Sequence, residues 1–342
     1  MNGSSTSAIQ ISLWHTWALT VTHKASEYTA QKFNAEKTGG DPVIPSANLD
    51  TDLVMACDQL VDCLIKAYEN PIQMNINIGR YSKLISPKNT KHNEEKEEKL
   101  LKRCPPGHEG TRFMDIPATI LDVSSTIIAW YLPDALTAET QMCDIHCYSI
   151  YIKYKMVTTE GNLGSHRVAV SESGKKCKED VGLPAGCINL SPAWFQQGHE
   201  NIADPEVSAS LKGPLSEEIL NAIVRPAAIA SAALRIMHPE QYWAGLRTFS
   251  SLREKAESKE LPRMSKILQY WASVFNTLSV ISNRQTPHHR DNLSIPECFD
   301  ILTTVGNYSN AWMSMPSLWL EFGYDPGCMI GFFRKDCQTW GS

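Results

Sequence analysis

No stretch of the 342-residue sequence approaches the run of about twenty apolar residues that carries a helix through a bilayer, so no membrane span is expected. The opening, MNGSSTSAIQ, has neither a basic n-region nor an uninterrupted apolar h-region, so it does not read as a secretory signal. Excess positive charge is missing too: Lys+Arg 32 against Asp+Glu 37 gives a net charge of −5, without the global basic footprint that dominates affinity for phosphate backbones. A nucleic-acid partner would have to be met by a local basic groove. Cys143-Asp144-Ile145-His146-Cys147 brings three potential zinc ligands together, but no second C-x2-C or H-x3-H completes a tetrahedron. On a strand His146 would also face away from Ile145 and Cys147. The 10 cysteines are scattered and read as small buried hydrophobes in a reducing compartment, the nucleus or the cytoplasm. The last absence is the most consequential: no histidine follows His289.

What is present is ordinary for a globular chain, 42% hydrophobic and 20% charged, and long enough to bury a sizeable core. Residues 1–49 read as a weakly ordered lead-in broken at Gly39-Gly40-Asp41-Pro42. Residues 50–342 read as a single elaborated domain. Within it, 50–110 is helical and charged: Leu53, Cys57, Leu60, Val61 and Leu64 recur at helical spacing behind an Asp50 or Thr51 cap, and Lys91 to Lys99 is a solvated mixed-charge run. Strand texture is expected over 115–190, notably Ile127–Leu132 with a proline stop and the alternating Ile145–Val157; Gly161 to Ala185, with Lys175, Lys176 and Lys178, reads as a solvated loop. Helices follow over 214–260, one capped by Ser216 and kinked at Pro226, the next starting at Pro239. From Met264 the texture is β, with strands expected at Ser273–Ile281, Cys298–Val305, Trp312–Leu320 and Cys328–Phe333.

The chemistry concentrates at Asn283-Arg284-Gln285-Thr286-Pro287-His288-His289-Arg290-Asp291. His289-x-Asp291 is the spacing by which an extended segment or tight turn directs an imidazole and a carboxylate to one cation, two ligands of a facial triad with open positions. A bare H-x-D triplet also arises by chance as a solvated turn. Context raises it. The NR-x-T-x-x-HRD stretch, Asp300, Gly306, the turn at Met315-Pro316 and Tyr324-x-Pro326-Gly327 together resemble the TET/JBP-like Fe(II)/2-oxoglutarate dioxygenases, especially their fungal branch, over the run from Trp271.

The resemblance implies an α+β fold: a double-stranded β-helix (jelly-roll, cupin-like) core buttressed by helices, its C-terminal end incomplete at residue 342. It implies Fe(II) and 2-oxoglutarate as cofactor and co-substrate, oxidation of the methyl group of a modified base, 5-methylcytosine above all, and methylated DNA as partner in a route to DNA demethylation. His289 and Asp291 carry over as metal ligands and catalytic residues. Asn283 and Thr286 are candidates to orient His289, with turn chemistry as the plainer role, and Arg290 is a candidate for an ion pair or a phosphate contact. The family's second histidine and, after it, its co-substrate arginine are expected where Arg334 to Ser342 stand here, with Thr339 or Trp340 in the histidine slot; Asp336 and Cys337 are nearby substitutes of poorer chemistry. The alternative is a catalytically inactive family member that binds nucleic acid or protein.

Overall fold

A helix stands where a weakly ordered lead-in is expected: α1, Trp17–Thr38. Its buried face carries Thr22, Ser26 and Thr29 beside Ala18, Ala25 and Phe33, so its amphipathic signal is faint. Ser26 and Thr29 donate within the helix to the carbonyls of Thr22 (2.8 Å) and Ala25 (2.9 Å), and Thr22 donates to the Ala272 carbonyl at 2.6 Å, which lets polar side chains occupy a core face. Gly39 ends the helix at φ +67°, a left-handed position that glycine takes without a Cβ clash.

The computed structural model describes residues 17–84, 91–103, 105–107, 110–143, 186–195, 198–199, 201–282, 286–289, 297–333 and 339–341. The expected strand Ile145–Val157, the lysines at 175, 176 and 178, and all of the Cys143–Cys147 cluster except Cys143 lie outside the described residues. Contacts divide the chain into two compact units rather than one domain from residue 50: Met1–Asp58, Glu139–Asn162 and Gly182–Asn283 form the first, and Gln59–Ala138, Leu163–Val181 and Arg284–Ser342 the second.

Helix α2, Thr51–Glu69, matches the sequence periodicity, with Leu53, Cys57, Leu60, Val61 and Leu64 all buried. Its first turn is capped by Asp50, whose carboxylate accepts from the Leu53 amide at 2.9 Å. The second unit also holds helices α3, Ile78–Leu84, and α4, Lys91–Arg103, the latter the solvated charge run.

In the first unit, α5 (Ser216–Met237), α6 (Pro239–Ser258) and α7 (Pro262–Tyr270) join α1 and a hairpin of β5, Gly186–Leu190, with β6, Leu278–Ser282. Leu215, not Ser216, is the N-cap of α5, and the helix continues through Pro226. Helix α7 falls where β texture is expected from Met264; at only nine residues its periodicity is too short to separate from a strand. Helix α5 is also long and apolar enough to cross a membrane, contrary to the sequence expectation, but 61% of its apolar window is buried in the protein. The reason is alanine: Ala227, Ala228, Ala232 and Ala233 raise the mean hydropathy while letting α1 approach closely, as in the Ala18–Ala227–Ala272 contact.

The same close approach fixes Gly245 on α6, where a Cβ would strike the carbonyl oxygen of Val274. Val274 is itself held by Ser231 of α5, whose hydroxyl accepts from the Val274 amide at 3.2 Å. Gly245→Ala is therefore expected to destabilise the protein by about 1–3 kcal/mol through overpacking, despite alanine's better helix propensity. Thermal unfolding checks this, and an unchanged or raised Tm would show that the Val274 backbone yields freely.

His23 ties α1 to α6, its Nδ1 lying 3.2 Å from the Tyr242 hydroxyl and its ring 5.8 Å from Trp243, over which Arg235 stacks at 4.1 Å. Burial holds the His23 imidazole below its ordinary 6.5, with Glu27 opposing and Arg235 adding to the effect. The unfolded chain then binds more protons at this site than the folded one, so the contribution is complete above about pH 6.5 and lost as pH falls below it. Wild-type Tm is expected to drop more steeply from pH 7 to about 5 than that of His23→Gln. Parallel curves would remove His23 from the acid response.

The second unit is built on two five-stranded sheets. The first runs in the order β1 (Pro71–Gln73), β3 (Ala118–Leu121), β4 (Ile127–Leu132), β11 (Met329–Phe332), β8 (Asp300–Thr303). The second runs β2 (Arg112–Met114), β10 (Leu320–Gly323), β9 (Trp312–Met315), β12 (Thr339–Gly341), β7 (Thr286–His289). The expected single strand Trp312–Leu320 is in fact two, because Pro316 opens a 3-10 turn and Trp319 takes a left-handed φ of 53°. Strand β11 is buried along its whole length, and the sheets meet where Tyr131 of β4 packs on Phe322 of β10 (5.0 Å between ring centroids) and donates to the Gly323 carbonyl at 2.9 Å.

Candidate functional site

His289 is the last residue of β7, the end strand of the second sheet. Pro287 in that strand lacks an N–H, which a sheet tolerates at an edge or a bulge, and both conditions hold here. Thr339 pairs with His289 and Gly341 with Thr286, so two steps on β12 match three on β7. The extra residue is a β-bulge, a device that re-aims a strand next to a functional site.

The ladder fixes where His289 stands. Trp340 pairs with Ser314 and Gly341 with Met313 on β9, while Met313 and Met315 pair with Phe322 and Leu320 on β10. Met313, Met315, Leu320 and Phe322 are buried, at 2% exposure or less. Residues of equal parity share a face of a sheet. Thr339 has the parity of Gly341 along β12 and is the register partner of His289, while Trp340 has the opposite parity.

Thr286 lies in β7. Asn283, Arg290 and Asp291, and likewise Asp336 and Cys337, are outside the described residues, and no structural placement is given to them.

The other positions of the motif form a network at the far end of the strands. Thr304, 5% exposed, donates its hydroxyl to the Asp325 carbonyl at 2.6 Å and accepts from the Cys328 amide at 3.0 Å. Gly327, at φ +94°, donates its amide to the Thr304 carbonyl at 2.8 Å, and the Asp325 carboxylate accepts from the Ala311 amide at 3.0 Å. Tyr324-x-Pro326-Gly327 is therefore a turn that locks the ends of β8, β9 and β11 together. Gly306, at φ +145°, packs beneath Tyr308. Sequence inspection finds the glycines and the proline but misses Thr304, which has no distinguishing sequence signal.

Thiol chemistry has little to offer nearby. Burial pushes the Cys63 thiol up to about 12 and Cys328 well above its ordinary range, so neither supplies the thiolate that binds metals or attacks substrates. Among the described residues no group of three or more His, Cys, Asp or Glu side chains is placed to hold a metal ion. An iron centre of the two-histidine, one-carboxylate type needs a nitrogen ligand besides His289. Position 339, opposite His289, holds a threonine, and residues 290–342 contain no histidine.

Comparison with known proteins gives one family. The Tet_JBP family, described as the oxygenase domain of the 2OGFeDO superfamily, matches residues 191–338. No curated protein matches the chain. Among solved structures, that of NgTET1 in complex with 5mC DNA is similar at 10% identity and a TM-score of 0.41, over 78% of this chain and 86% of that one. The match places the resemblance to a Tet/JBP-type oxygenase domain within residues 191–338 of this chain.

Proposed function

We propose that this chain is a dioxygenase-family protein whose substrate is a methylated base in DNA, 5-methylcytosine above all, and whose reactive end is the His289 terminus of β7. The family match over 191–338 carries the proposal. Two observations support the placement. Strands β7 to β12 are shared between the two sheets, with β7, β9, β10 and β12 in one and β8 and β11 in the other, so the chain crosses between sheets four times in this stretch. His289 also ends a bulged strand that pairs with β12, which pairs in turn with β9 and its buried Met313.

In this reading His289 and Asp291 bind the metal and 2-oxoglutarate is the co-substrate, oxidised together with the methyl group. Asn283 and Thr286 orient His289 through its other ring nitrogen, as metal-bound histidines usually require. Arg290 contacts a phosphate. The base is turned out of the stack to reach the site, at an unpairing cost of a few kcal/mol. The protein works in the nucleus or cytoplasm.

A specific observation favours a second reading, a family member that binds nucleic acid or protein without turnover: the register partner of His289 is a threonine, Thr339, and not a histidine. Incubation of the chain with Fe(II), 2-oxoglutarate and a duplex containing 5-methylcytosine separates the two. The dioxygenase reading expects succinate in step with loss of the methylated base by mass spectrometry. Binding of the duplex without succinate would establish the second reading, and succinate with an unaltered base would move the substrate away from DNA.

A further inference from the structure

Two segments join the sheets of the second unit at the end where His289 stands. Residues 290–299 lead from His289, the last residue of β7, to Asp300, the first of β8. Residues 333–338 lead from Phe332, the last residue of β11, to Thr339, the first of β12. Both segments therefore run between the same two cross-strand pairs, His289 with Thr339 in the second sheet and Asp300 with Phe332 in the first. Asp291 belongs to one segment, Asp336 and Cys337 to the other.

Strands β7 and β12 do little to fix their own place. Pro287 gives no N–H to the ladder, and the register shifts between Thr339 and Gly341. Their position against the first sheet then depends on the two connecting segments, and these share an anchor. At the roots of the segments Phe299 and Phe333 lie ring on ring, 4.3 Å between centroids and 15° from parallel. Phe299 is 2% exposed and Phe333 is half-buried. Register brings the two positions together, because each adjoins a member of the Asp300–Phe332 pair. Stacking adds what aliphatic side chains of similar volume would not, a preferred spacing and tilt between the two backbones.

We propose that the Phe299–Phe333 stack is a positioning element of the His289 site: it holds the two connecting segments against each other and, through the backbone, the pairing of β7 with β12. The inference rests on the reading that His289 and Asp291 bind the metal, and adds what keeps them in place. Rings that only fill the core would lower stability when lost, whereas a positioning pair also changes the site.

The test compares Phe333→Leu and Phe333→Tyr in the full chain, by isothermal titration with Mn(II) and by hydrogen exchange of the β7 and β12 amides without metal. Leucine removes the ring and keeps apolar volume; tyrosine keeps the ring, and a half-buried position leaves room at its rim for the hydroxyl. Phe333→Leu is expected to weaken Mn(II) binding about tenfold, the lower end of what outer partners of metal ligands carry, and to speed exchange about fivefold. Phe333→Tyr is expected to keep both within about twofold of wild type, because the stack survives. The exchange arm separates this inference from the metal reading: a wild type that binds no Mn(II), with exchange faster in the leucine variant and restored in the tyrosine variant, removes the metal and leaves the positioning. Wild-type affinity and exchange in Phe333→Leu, with only its Tm lowered, would overturn the inference, as would equal losses in the two variants.

Discussion

Replacing His289 by alanine is expected to weaken binding of Fe(II), or of Mn(II) as an air-stable substitute, by at least about a hundredfold, since outer partners of metal ligands alone are worth about 10–100-fold. The expectation follows from the motif. His289 ends β7 and Asp291 follows two residues on, so in the proposed reading the substitution removes the imidazole of the H-x-D motif. In the proposed reading the ligand is His289 and not His288, its neighbour in the same strand. His288→Ala is accordingly expected to change metal affinity by less than about threefold, less than 0.7 kcal/mol. Isothermal titration with Mn(II) reads both variants. Strand β7 is an edge element, so the Tm of His289→Ala should stay close to wild type, and a folded variant that binds metal as tightly as wild type would remove the histidine from the site.

The second large effect is a gain. Directly opposed residues of an antiparallel pair have Cβ atoms about 4.5–5.5 Å apart, a separation from which two imidazoles reach one ion. Thr339 is paired with His289, so Thr339→His is expected to raise metal affinity by at least about tenfold, or 1.4 kcal/mol. Trp340→His, at the opposite parity, is expected to raise it little. The double variant Thr339→His with His289→Ala should lose the gain, because the new imidazole acts only with its partner. A gain at 340 and none at 339 would mean that β12 is registered one residue away, since a slip of one moves every side chain to the other face.

The elements that could be read in advance were those whose signal is local. Helix α2 announces itself by five buried apolar residues at helical spacing and an aspartate cap, and β4 by an apolar run stopped at Pro133. The H-x-D triplet is local too, and its neighbours supply the family resemblance. Helix α1 was hidden because its buried hydroxyls are satisfied by backbone carbonyls, those of Ser26 and Thr29 in their own helix and that of Thr22 at Ala272, a satisfaction that composition does not display. The register of β12 against β7 was hidden for a different reason: three- and four-residue strands, one holding a proline, have no periodicity, and their pairing spans fifty residues of sequence. Choosing between Thr339 and Trp340 is a question of parity. Parity is set by the intervening strand β9, through Ser314 and Met313, and not by anything near residue 339.

The central claim is that one imidazole, that of His289, faces the metal in this 342-residue chain. Pulsed electron paramagnetic resonance of the Cu(II)-loaded protein counts coordinated imidazoles directly through the remote ring nitrogen. The account predicts one in the wild type, two in Thr339→His and none in His289→Ala. Two imidazoles in the wild type, or one that persists when His289 is replaced, would contradict it.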